Sequence, residues 1–99
     1  MILVSGHFRL PAERIAEART EMAAVIAASL AEDGCRAYSY AEDVTQPGLF
    51  RVHEEWDSRP ALNAHFDTPH MKHWQATREK LGFADRRISV YEIASATPL

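Results

Sequence analysis

The apolar residues of this chain recur with two different periods, and each change of period marks a boundary between elements. Met1 to Arg9 is a short apolar and β-branched run ending at Leu10-Pro11, which predicts a first strand. Pro11 suits the first turn of a helix, and Glu13 and Glu17 place negative charge near its positive end. Ile15, Ala18, Met22, Val25/Ile26 and Ser29/Leu30 then follow in steps of three and four, the buried face of a long helix. Asp33-Gly34 closes it, with Gly34 free to take the left-handed conformation.

From Cys35 to Val44 the period becomes two, with Arg36, Tyr38 and Tyr40 on one side and Cys35, Ala37 and Ser39 on the other. Thr45-Gln46-Pro47-Gly48 is turn chemistry. Leu49 to Trp56 alternates again, Phe50, Val52, Glu54 and Trp56 against Arg51, His53 and Glu55, so the two runs predict an antiparallel hairpin. Asp57-Ser58 offers a cap for a short helix over Arg59 to Phe66. Thr68-Pro69 starts a third helix that runs to Leu81, with Gly82 ending it. The last strand lies within Phe83 to Ile93, centred on Ile88 to Ile93, and Ala94 to Leu99 is a loose tail or an arm toward a partner.

The order βαββααβ predicts an α+β, ferredoxin-like domain over residues 1–99: a four-stranded antiparallel sheet with helices on one face. Apolar residues occur at both parities of the strands, so the uncovered face is expected to pack against a second copy in a two-fold dimer.

Composition narrows the function classes. Ninety-nine residues make one ordinary domain, and 46% hydrophobic with 25% charged residues is globular. A net charge of −3 with no Lys/Arg run gives no reason to expect nucleic acid. Met22 to Ala31, the longest nearly apolar stretch, is about half the length that crosses a bilayer, so no membrane partner is expected. The chain enters Ile2-Leu3-Val4 at once without the features of a signal peptide, and the single cysteine, Cys35, has no intrachain partner. These features predict a cytoplasmic protein.

One segment is distinctive. Glu54-x-Trp56, then Ala61-Leu62-Asn63-Ala64-His65, then Thr68-Pro69-His70-Met71-Lys72, resembles the signature of the antibiotic biosynthesis monooxygenase (quinol monooxygenase-like) family, and Gly34-Cys35 after the long helix is similar too. The resemblance implies a homodimeric α/β barrel with a pocket between sheet and helices in each subunit. It also implies a small aromatic substrate and dioxygen, since relatives that oxidise polyphenols use no flavin, metal or haem. A deprotonated phenol is electron-rich enough to reduce dioxygen directly, so such a protein takes the proton, holds the ring and excludes water.

Histidine titrates near neutral pH and suits the first of these tasks. Of five histidines, His65, His70 and His73 fall within nine residues. His70 is the leading candidate base, because the positive end of the third helix would keep its ring neutral. The competing reading is a hydrogen bond that fixes the Phe66–His70 corner. His65 ends the short helix and either faces the pocket or packs on the sheet, whereas His73 lies among polar residues and reads as exposed. His7 and His53 are strand residues whose face, pocket or dimer core, the pattern leaves open. Glu54 shares an apolar strand face, which makes it a candidate acid, base or orienter, or else half of a dimer salt bridge. Trp56, Phe66 and Trp74, with Phe50 and Phe83, are candidate walls for a flat substrate, each with an ordinary core role as the alternative.

Four other readings stand beside this one. A metal site from His65, His70, His73 and Glu54 meets no standard ligand spacing. Haem degradation, another branch of the family, uses an Asn, a Trp and a His at positions falling at or beside Gly6, His65 and Gln75, and none matches. Isomerisation of a small phosphorylated keto compound, a further branch, needs convergent cations, for which Arg36, Arg51 and Lys72 are the candidates. A dimer that binds a small molecule without turnover is the non-catalytic alternative.

Overall fold

The computed structural model describes residues 1–99. Strands β1 (Ile2–Arg9), β2 (Cys35–Glu42), β3 (Leu49–Trp56) and β4 (Ala84–Glu92) alternate with helices α1 (Ile15–Leu30), α2 (Arg59–Phe66) and α3 (Pro69–Lys80) in the expected βαββααβ order. The strands form one antiparallel sheet in the order β2-β3-β1-β4. This is the ferredoxin-like arrangement, with the helices packed on one face.

Two boundaries differ from the sequence reading. Pro11 is extended and precedes a single 3-10 turn over Ala12–Arg14, so α1 begins only at Ile15. Strand β4 starts at Ala84, well before Ile88, and its pairing with β1 shifts register between His7 and Arg9. An irregularity of that kind breaks the alternation that a sequence pattern relies on. Elsewhere the local chemistry acts as expected. The Ser58 hydroxyl accepts the Ala61 N–H at 3.3 Å, and Thr68 does the same for Met71 at 3.3 Å. Gly34 and Gly82 follow α1 and α3 at φ +82° and +78°, where a side chain would be strained.

Ala18, Met22, Val25 and Ser29 form the buried face of α1, while Leu30 is left exposed. Strand parity sorts the sheet: Val4 and Phe8, Tyr38 and Tyr40, Val52 and Glu54, and Ile88 and Val90 face the helices. The core divides into two clusters. Phe8, Met22, Phe50, Met71, Trp74 and Leu81 belong to one, and Ile2, Val4, Tyr38, Trp56 and Leu62 to the other. Tyr40 and Ile88 pack against both, and the space between the clusters is not completely filled. No helix is long and apolar enough to cross a membrane.

Candidate functional site

At this seam, between sheet and helices, lies a cavity of about 110 Å³. Its walls are mainly aromatic and aliphatic, including Phe8, Tyr38, Tyr40, Trp74 and Phe83, and its polar groups are Glu54, His65, Arg78 and Arg86. Phe66, Arg86 and Val90 line it and are also exposed, so the cavity opens to the surface beside them. A void of roughly 150 Å³ is known to take up a benzene. This cavity is of the same order, space enough for one small ring.

His65 is the centre of the site. It lies in the last turn of α2, is 1% exposed, and is enclosed by Trp56 and Tyr38 at ring-centroid distances of 4.7 and 5.4 Å. Its Nδ1 lies 2.6 Å from Glu32 Oε2, and its Nε2 is buried with no partner. Glu32 is fixed from the other side by His70, whose Nε2 is 2.7 Å from the same oxygen. With Glu32 as the acceptor, Nδ1 of His65 carries the proton and Nε2 presents a free lone pair. Burial lowers the His65 pKa, while the hydrogen bond to Glu32 opposes that shift. The ring is thus neutral and oriented by a carboxylate, the arrangement that makes an imidazole an effective base.

The α2–α3 corner produces this geometry. Thr68 Oγ1 donates to the His65 carbonyl at 2.7 Å while capping α3, which holds the end of one helix against the start of the next. His65 and His70 therefore converge on Glu32, just past the end of α1.

Glu54 is 7% exposed, and its Oε1 accepts the Trp56 indole N–H at 3.0 Å. Burial pushes its carboxyl up to about 7, partly offset by the indole hydrogen bond and the Arg86 charge. On the neighbouring strand β2 the Tyr38 and Tyr40 hydroxyls lie 3.0 Å apart. Burial raises both pKa values, that of Tyr40 to about 12, so both remain neutral donors near pH 7.

The candidates named from the sequence separate cleanly. Glu54, His65, Phe66 and Trp74 line the cavity, as does Phe83. His70, expected as the leading base, does not line it and reaches it only through Glu32 and His65. Trp56 is fully buried behind Glu54 and His65, supporting both without forming the wall. His7 and His53, candidates for either the pocket or the dimer core, lie on the sheet face opposite the cavity, because they alternate with Phe8 and with Val52 and Glu54. His53 bonds Glu55 there at 2.7 Å. His73 is exposed and bonds Glu21 at 3.1 Å. Arg36 pairs with Asp57, Arg51 pairs with Asp43 at 3.1 Å, and Lys72 is exposed, so none of the three supplies the cavity with charge.

Sequence reasoning missed Glu32, Tyr38, Tyr40, Arg78 and Arg86. Glu32 did leave a signal, since a carboxylate at the negative end of a helix is unfavourable and calls for a local partner. The Tyr38 and Tyr40 positions follow from the hairpin register, which sets them opposite Glu54 and Val52. Glu32 Oε2, His65 Nδ1 and His70 Nε2 also lie within 4.8 Å of one another, the donor set that could hold a metal ion. At 2.6 and 2.7 Å the oxygen is instead within hydrogen-bond distance of both rings.

Residues 1–77 match the antibiotic biosynthesis monooxygenase family. The chain belongs to that family. Over 98 residues it is 31% identical to an uncharacterised protein of Synechocystis sp., spanning 99% of this chain and 67% of that protein. A candidate antibiotic biosynthesis monooxygenase from Deinococcus radiodurans has the same fold at a TM-score of 0.93 and 30% identity, covering 100% of this chain and 98% of its own. A Bacteroides thetaiotaomicron protein of unknown function, described as a possible oxidoreductase, aligns at a TM-score of 0.84 and 26% identity over 93% of this chain and 96% of that one. The family's name denotes monooxygenation, and its members share this ferredoxin-like fold.

Proposed function

We propose that this protein is a cofactor-independent monooxygenase that oxidises a small phenol or quinol in the cavity, with His65 as the catalytic base. The observation that carries the proposal is the buried His65 ring, held by Glu32 through Nδ1 with Nε2 unpartnered in a residue that lines an aromatic cavity. Nε2 takes the phenol proton, and Glu32 stabilises the imidazolium that results. The phenolate, held among Tyr38, Tyr40, Trp74 and Phe83 away from water, then delivers its electrons to dioxygen. For a quinol the balance is quinol plus dioxygen to hydroxyquinone plus water, the ring supplying all four electrons. Glu54, poised near neutrality, is placed to carry a proton to the departing oxygen.

The isomerase reading is favoured by one observation, the presence of Arg78 and Arg86 in the cavity in place of the cations expected. The aromatic walls and the size of the cavity favour the phenol. We further propose that the protein acts as a two-fold dimer, packed through the sheet face that its own helices leave uncovered.

The test is oxygen uptake with a panel of single-ring hydroquinones. His65→Ala is expected to lower the rate by about 10²-fold or more, the usual contribution of a positioned base, and His70→Ala by less than about 10-fold. An unchanged rate in a folded His65→Ala variant would remove His65 from this role.

A further inference from the structure

We propose that Arg78 and Arg86 form an anion subsite in the cavity, so that the substrate carries a carboxylate or phosphate group in addition to its reacting centre. The proposal rests on the cavity being a substrate site, and it does not depend on which reaction occurs there.

The two arginines come from different elements. Arg78 stands one helical turn beyond Trp74 on α3, so both face the cavity, and Arg86 shares the inward side of β4 with Ile88 and Val90. Neither forms an ion pair or a side-chain hydrogen bond. Six of the other seven arginines behave differently: Arg9, Arg14, Arg19, Arg36 and Arg51 each pair with a carboxylate, and Arg59 bonds Asn63. Arg87, also unpaired, is exposed and falls on the opposite parity of β4 from Arg86. Two guanidinium groups outside any ion pair therefore line the same aromatic cavity as the buried His65.

For Arg78 that arrangement is unfavourable without a ligand, while Arg86 stands exposed at the cavity mouth. Arg78 is partly withdrawn from water, and burial lowers its pKa, with the neighbouring Arg86 charge adding to the effect. Glu54, the only cavity carboxylate, is committed to the Trp56 indole and is half-neutralised near pH 7. Two positive charges thus face at most one negative charge. A planar guanidinium fork matches a carboxylate or phosphate through paired hydrogen bonds, and apolar walls strengthen such contacts. A substrate spanning the cavity would present its anionic group to the arginines and its hydroxyl to His65.

The experiment measures binding of non-oxidisable probes by quenching of tryptophan fluorescence, Trp74 being in the cavity wall. Benzoate and phenyl phosphate are compared with benzamide, a neutral analogue of benzoate. At least one anion is expected to bind about 10-fold more tightly than benzamide or better. Arg78→Gln and Arg86→Gln, checked for folding by circular dichroism, are expected to reduce that preference, and the double variant to abolish it. Arg78→Lys should retain part of it. The tighter of the two anions identifies the carboxylate or the phosphate class. Equal binding of all three probes by the wild type, no binding of either anion, or a preference that survives both Gln substitutions would overturn the subsite. The wild-type comparison decides this even where a variant does not fold. Failure of oxygen uptake with anion preference intact would refute the monooxygenase reading alone.

Discussion

Glu54 occupies the inward row of the sheet, with Val4 and Tyr38 as its cross-strand neighbours. Its burial makes stability depend on pH in a definite direction. The carboxyl titrates at about 7 in the folded chain against 4.5 for the ordinary group, so between these values the folded state holds the proton and the unfolded state does not. Stability from this residue is therefore full below about pH 4.5, is lost as pH rises toward 7, and is flat above that. The total is on the order of 3 kcal/mol. Glu54→Gln keeps an oxygen for the Trp56 indole and removes the titration. It should match the wild type in urea unfolding near pH 4.5 and exceed it by about 1–3 kcal/mol near pH 8. A constant difference across that range would mean that Glu54 is not desolvated as described. The same scale distinguishes the histidines. Only tertiary placement separates His65 from His70, because both belong to one helix corner and both bond to one oxygen.

Elements were the most legible level. Leu49–Trp56 and Arg59–Phe66 fall on the expected bounds, because alternation, the Ser58 cap and the Thr68-Pro69 start are all local signals. Strand β4 extends further toward the N-terminus than its pattern indicates, because Asp85 to Arg87 are charged and the β1 pairing shifts register there. That early start also hides Arg86, which is an inward-facing residue only if the strand already runs through it. The role of Glu32 is hidden for a related reason: the sequence marks where α1 stops, but not what meets its end. The sheet itself carries a prediction. Its helix-free face includes Leu3 and the half-exposed Tyr91, which lie opposite each other across β1 and β4. The proposed dimer buries this face, so sedimentation should give twice the monomer mass, and Tyr91→Glu should shift the equilibrium toward monomer. A wild-type chain that sediments as a monomer at micromolar concentration would contradict the arrangement.

At the scale of the whole molecule, topology was readable because seven short-range patterns leave few ways to connect a four-stranded sheet. The cavity was not. It lies where two core clusters meet without filling the seam, and that is a property of packed volumes rather than of any segment. The proposed function follows from the same seam, since it gathers an imidazole, a carboxyl near neutrality, two hydroxyls and two guanidinium groups around a space for one ring. In the proposed reaction the seam ionises a bound phenol through His65. A nitrophenol whose phenolate absorbs visible light measures it directly. At a pH about one unit below the free probe's own pKa, binding to the wild type should convert it to phenolate, and His65→Gln should abolish the conversion while His70→Gln largely preserves it. A probe that binds the wild type but stays protonated, or ionises equally on His65→Gln, would contradict the account.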